Sequence, residues 1–202
     1  MAINSINPII GELESLFLSF NEHYYNNELP KPVITVSPDD SRRGGVLGWF
    51  TVNKLWRGTD SEVAHHEINI CSNYLDGTPE EMAETLLHEM VHLYCSERGI
   101  QDTCQNGVYH NKKFKYAAEK HGLVVRHKTG EDFSQTYLSD EAKDYISTLP
   151  INISLYRLGK PRSVAPKRQS TRRLVCPKCK TIVRVTKPNV HIICGDCQVP
   201  FK

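Results

Sequence analysis

The 202-residue sequence contains no run of 18 or more apolar residues, so no membrane-spanning helix is expected. Its opening stretch, MAINSINPII, lacks the basic segment and long apolar segment of a secretory signal. A cytoplasmic protein is the resulting expectation. Also missing is an even, regularly spaced set of cysteines. The seven present argue against a secreted disulfide framework and for metal ligands plus reduced thiols. Acidic residues are nearly absent from one end. Residues 155–202 hold 12 Lys+Arg and one acid, Asp196, whereas residues 1–154 hold 13 Lys+Arg and 22 Asp+Glu. The overall charge of +2 therefore conceals −9 in one part and +11 in the other. Such asymmetry predicts a basic module that meets a polyanion, nucleic acid above all.

Periodicity then supplies the elements. Ile9, Leu13, Leu16, Phe17, Phe20 and Tyr24 recur at helical spacing until the prolines of ELPKP interrupt them. PVITVS, GVLGWFTV and HHEINI read as three strands. The next segment, TPEEMAETLLHEMVHLYCSERG, opens on a Thr78/Glu81 capping box with Pro79 at the first helical position, and Gly99 is placed to end it. Met82, Leu86, Met90, Leu93 and Tyr94 form its core-facing stripe. QDTCQNGVYHN reads as a loop, NKKFKYAAEKHG as a helix and LVVRH as a short strand. A last helix, capped by Ser139, runs to about Leu149. These elements predict an α+β domain over residues 1–154, with helices packed on a sheet of about three strands. A basic linker (155–173) and a small β module (174–202) complete the expected organisation.

Within the central helix, His88-Glu89-Met90-Val91-His92 forms H-E-x-x-H. Residues at i and i+4 share a helix face, so both imidazoles can grip one zinc ion. Such an ion lowers the pKa of a bound water to about 7, and Glu89 is placed to take the water's proton and pass it to a leaving amine. A catalytic zinc needs a third protein ligand. Position 98 is Arg98, which excludes the longest form of the motif. His110 and Glu119 are the candidates. Tyr94, Tyr109, Tyr137 and His127 are candidate oxyanion donors, and His121 is expected at a helix end facing its dipole. Near the C-terminus, Cys176, Cys179, Cys194 and Cys197 form C-x2-C-x14-C-x2-C, a spacing suited to one structural zinc. TIVRV and VHIIC read as strands, giving a zinc ribbon. Lys178, Lys180, Arg184 and Lys187 join the preceding arm in a phosphate-tracking surface. Phe201 and Tyr156 are its only aromatics, so little base stacking is expected there.

The segments YYNNELP (24–30), GWFTVN (48–53), HEINI (66–70), TLLHEMVHLY (85–94), GVYHNKKFKYAAEKHGL (107–123) and the terminal CPKC…CGDC carry a resemblance. Together the chain resembles the SprT-like (Spartan-type) zinc metallopeptidases. The resemblance implies a minimal zincin fold, His110 as the third zinc ligand and Glu89 as general base. It also implies cleavage of proteins, including proteins crosslinked to DNA. The expected cofactors are then one catalytic and one structural zinc. The expected partners are a protein substrate and a nucleic acid, DNA rather than RNA, met by a monomer.

Overall fold

A computed structural model describes residues 5–39, 45–59, 62–105, 107, 109–127, 132–156 and 171–202. Most of the expected linker at 155–173 lies outside the described residues. The chain divides into two compact units, Met1–Pro161 and Arg162–Lys202.

In the first unit, α1 (Asn7–Tyr25) buries Ile9, Leu13, Leu16, Phe17 and Phe20 along one face. Asn26 and Asn27 end it with φ of 52° and 60°, a region asparagine tolerates better than most residues. The buried Asn21 side chain fastens the turn that follows. It donates to Leu29 O (2.9 Å) and accepts from Leu29 N (3.1 Å). Next come β1 (Val33–Ser37), β2 (Gly48–Phe50), the short pair β3 (Trp56–Arg57) and β4 (Ala64–His65), and β5 (Glu67–Cys71). The three strands expected from the sequence form one sheet in the order β1–β5–β2. β1 runs parallel to β5, and β2 antiparallel to it. β5 is central, and its Ile68 and Ile70 are fully buried. HHEINI is not one continuous strand, because His66 interrupts it. That ring is buried and hydrogen-bonds Thr51 O and Glu97 Oε1, each at 2.9 Å.

α2 (Pro79–Glu97) begins with the expected reciprocal cap. Thr78 Oγ1 accepts from Glu81 N (3.2 Å), and Glu81 Oε2 accepts from Thr78 N (2.8 Å). Met82, Leu86, Met90 and Leu93 are buried as their spacing suggests, while Tyr94 is half-buried. Ala83, Leu87, Val91 and Cys95 are buried too. The helix is therefore enclosed on more than one side, because β2 and β5 pack on it from the sheet and α1, α3 and β9 from elsewhere. Beyond it, β6 (Thr103–Cys104) and β7 (Tyr109–His110) pair antiparallel in a stretch expected to be loop. α3 (Lys112–Lys120), β8 (Leu123–Arg126), β9 (Gln135–Leu138) and α4 (Asp140–Thr148) follow, the last capped by Ser139. Leu155 and Tyr156, expected to open the linker, are buried in the core of this unit.

In the second unit, β10 (Arg172–Val175) and β11 (Ile182–Val185) form an antiparallel pair. β10 begins inside the stretch expected as linker. VHIIC is not a strand: only Ile193 bridges, to Pro200. The sole buried residues described in this unit are Cys176 and Cys194. No helix among the described residues is long and apolar enough to cross a membrane.

One glycine sets how closely sheet and helix approach. A Cβ at Gly48 would lie 2.8 Å from Asn69 O, 3.0 Å from Thr85 Cγ2 and 3.3 Å from Glu89 Oε1. Neither a central-strand carbonyl nor a buried threonine can yield cheaply. Gly48→Ala is expected to cost about 1–3 kcal/mol of stability, read as a lowered urea midpoint. An unchanged midpoint would show that β2 moves freely against α2.

Candidate metal centre and cleft

The first unit gathers three imidazoles. His88 and His92 stand one turn apart on α2, and the β6–β7 pair carries His110 back to meet them. His110 Nε2 lies 3.2 Å from His88 Nε2 and 2.9 Å from His92 Nε2. Their outer nitrogens are held differently. His92 Nδ1–H donates to Asp102 Oδ2 (2.6 Å), and His88 Nδ1 is hydrogen-bonded to Thr136 Oγ1 (3.0 Å). His110 Nδ1 is buried without a hydrogen-bond partner among the described residues. Beneath all three rings lies the fully buried Phe114, with centroids 4.8, 4.9 and 4.3 Å from His88, His92 and His110.

Burial holds His88 and His110 neutral. It pushes His88 well below the usual histidine range, with His92 and His110 adding to the effect. It lowers His110 to about 4, His92 adding to the shift and Asp132 and Asp102 opposing it. Because the Asp102 carboxylate accepts from His92 Nδ1–H, the Nε2 of that ring is the atom turned toward its neighbours. Three Nε2 atoms aimed at one point form a donor set for a cation between them. Tetrahedral bonds of 2.0–2.1 Å to zinc set nitrogens about 3.3 Å apart, close to the spacing found. The donor set thus fits zinc. Glu89 is 6% exposed, and burial pushes its carboxyl up to about 7, with His92 opposing and Asp102 adding.

Two hollows, of about 650 and 500 Å³, meet at His88, Glu89 and His110. Val46 and Gly48 are common to both; Trp49 and Phe50 line the first, and Gln135, Thr136 and Tyr137 the second. The result is a cleft across the histidines, walled by β2 and β9. Glu119, the other candidate ligand, is exposed and paired with Lys115 (3.7 Å), apart from the histidine cluster. Among the expected oxyanion donors, Tyr137 lines the cleft, while Tyr94 faces a separate hollow. His127 packs against Phe133 with the rings tilted by 55°. His121 does end α3, but as a buried ring stacked on Tyr25, its Nδ1–H donating to Ala117 O (2.7 Å). Burial lowers its pKa, so it serves the helix end as a hydrogen-bond donor rather than a charge.

Residues 13–137 match the SprT-like family. The chain belongs to that family. The match covers the histidine cluster, Glu89 and both cleft walls, so the first unit of this SprT-like protein is a metallopeptidase-type domain. Searches among curated proteins and solved structures found no match. The cysteine cluster lies beyond the matched residues.

That cluster is built from two copies of one turn. Lys180 N donates to Cys176 O (3.0 Å), and Gln198 N donates to Cys194 O (2.8 Å). Each of these two residues has positive φ, 61° and 53°. Each leading cysteine N–H in turn donates to a carbonyl five residues on, Thr181 O or Val199 O, at 2.9 Å. The four sulfurs lie within 4.8 Å of one another. Hydrogen bonds from Thr181 lower Cys179 to about 6, while hydrogen bonding to Cys179 and burial push Cys197 up to about 12. Four thiolates cannot crowd together without a cation, so this set also fits zinc.

Asp102, Thr136 and Phe114 escape recognition as site residues in sequence. The return of His110 has a sequence signal, since Asn106-Gly107 is a hairpin dipeptide. Outer partners of this kind typically change metal affinity 10–100-fold. Asp102→Asn is expected to weaken zinc binding within that range, measured by chelator competition, while His110→Ala abolishes it. Unchanged affinity in Asp102→Asn would remove the residue from the centre.

Proposed function

We propose that this SprT-like protein is a zinc-dependent endopeptidase that acts on proteins bound or crosslinked to DNA. The observation that carries the reading is the meeting of three inward Nε2 atoms and Glu89 in a cleft whose wall is a free strand edge. His88, His92 and His110 would hold the catalytic zinc, which when bound supplies a Lewis acid that polarises a carbonyl and acidifies water. Glu89, buried beside them, takes a proton from water and delivers it to the departing amine. Among the described residues β2 pairs with β5 on one side only. Its other edge faces the cleft and suits an extended peptide added as a further strand.

Cys176, Cys179, Cys194 and Cys197 would hold the structural zinc. The second unit has no apolar core among its described residues, so metal supplies its folding energy. Lys178, Lys180, Arg184 and Lys187 are exposed there. With the +11 charge of residues 155–202, they support a sequence-independent grip on the phosphate backbone. The competing reading, a nucleic-acid-binding ribbon protein without proteolysis, gives no role to Glu89.

Glu89→Gln is expected to keep its zinc and lose cleavage of a DNA-bound protein. Retained cleavage would remove Glu89 as the base. Glu119→Ala should keep zinc; loss of zinc there, with retention in His110→Ala, would reverse the ligand choice. For the second unit, fluorescence titration with oligonucleotides at low salt should show binding that weakens steeply as salt rises. No binding at low salt would dismiss the nucleic-acid role.

A further inference from the structure

The outward face of α3 differs from the rest of its unit. Residues 1–154 are acidic on balance, yet Lys112, Lys113, Lys115 and Lys120 all fall within this nine-residue helix. Lys115 pairs with Glu119. Lys112, Lys113 and Lys120 are exposed and take part in no ion pair among the described residues. They surround a hollow of about 460 Å³ floored by Tyr94, Ile100 and Ala117. At its rim Tyr116 is 75% exposed. Asn111 Oδ1 already occupies the first-turn amides of Lys113 and Phe114, so the face offers side chains and not backbone donors.

We propose that this face binds single-stranded nucleic acid, one base stacking on Tyr116 and the phosphates lying on Lys112, Lys113 and Lys120. The chemistry favours that occupant. Three unpaired ammonium groups call for a polyanion, and an exposed aromatic ring between them is a platform for any base. Lys113 and Lys120 are seven residues apart, roughly 10 Å along the helix. About three phosphates of a stacked strand, at ~3.4 Å each, span that length. A duplex hides its bases and an acidic peptide has none, so neither uses Tyr116. In the second unit the one Phe, Tyr or Trp side chain, Phe201, is half-buried, so the fully presented ring of Tyr116 is the better platform. Gly99 and Ile100 line both this hollow and the cleft. A strand held here lies behind the loop that carries Asp102, and its protein cargo is brought beside the histidines. The inference stands whether or not the cleft hydrolyses peptides, since its test reads binding.

The test uses the full-length, zinc-loaded protein with labelled oligo-dT, a duplex of equal length and poly-glutamate, titrated over a salt series. Tyr116→Ala should weaken oligo-dT binding roughly tenfold and leave duplex binding within about twofold, as expected when only unpaired bases stack. Lys112→Gln/Lys113→Gln/Lys120→Gln should lower the salt slope for oligo-dT by about 2, the release expected for three lost single-strand phosphate contacts. A photocrosslinking oligonucleotide should attach to the peptide containing Tyr116. Unchanged affinity and slope in both variants, or crosslinks confined to residues 171–202, would overturn the proposal. Equal loss of poly-glutamate and oligo-dT in Tyr116→Ala would assign the face to an acidic protein instead. All four side chains are exposed, and unaltered zinc content and circular dichroism verify that the variants fold.

Discussion

Holding three imidazoles nose to nose is the constraint around which the first unit is organised. Left alone, such rings would turn apart. Phe114 fills the space beneath them, Asp102 fixes His92, and Thr136 fixes His88. Each support comes from a different element. α3 contributes Phe114, the segment before β6 contributes Asp102, and β9 contributes Thr136. Asn111 then joins two of these, because it caps α3 while its backbone N–H donates to Asp102 O (2.9 Å) and its Nδ2 donates to Gln101 O (2.9 Å). The small strands after α2 are thus less a sheet than a bracket for one set of rings.

The two cysteine turns obey the opposite logic. In the first unit a packed core of helices and sheet pre-arranges the nitrogens, so ligand geometry follows from burial. In the second unit nothing apolar among the described residues is buried, and the sulfurs themselves are the interior. The same ion would therefore have two kinds of consequence in one chain. Removing it empties a site in one unit and removes the fold's main support in the other.

What the sequence revealed followed the range of the interactions. The α2 cap, the i,i+4 histidines and Glu89 are local, and local spacing exposes them. The cysteine turns are local as well. His110 required a chain reversal, and although Asn106-Gly107 signals one, the surrounding polar residues read as loop. Asp102 and Thr136 gave no signal, since an aspartate in a loop and a threonine in a strand are ordinary until a histidine lies opposite. VHIIC is apolar and β-branched enough to suggest a strand, but it finds only a bridge to Pro200. Tyr156 looked like part of a basic arm and instead closes the core.

β2 is three residues long, begins with a glycine and, among the described residues, leaves one edge unpaired beside the cleft. An unpaired edge that accepts one extended chain accepts others, and long flat edges seed aggregation. A protein that keeps such an edge for its work must keep it too short to template a growing sheet. At three residues β2 is short enough that its exposed edge is a poor template for a growing sheet.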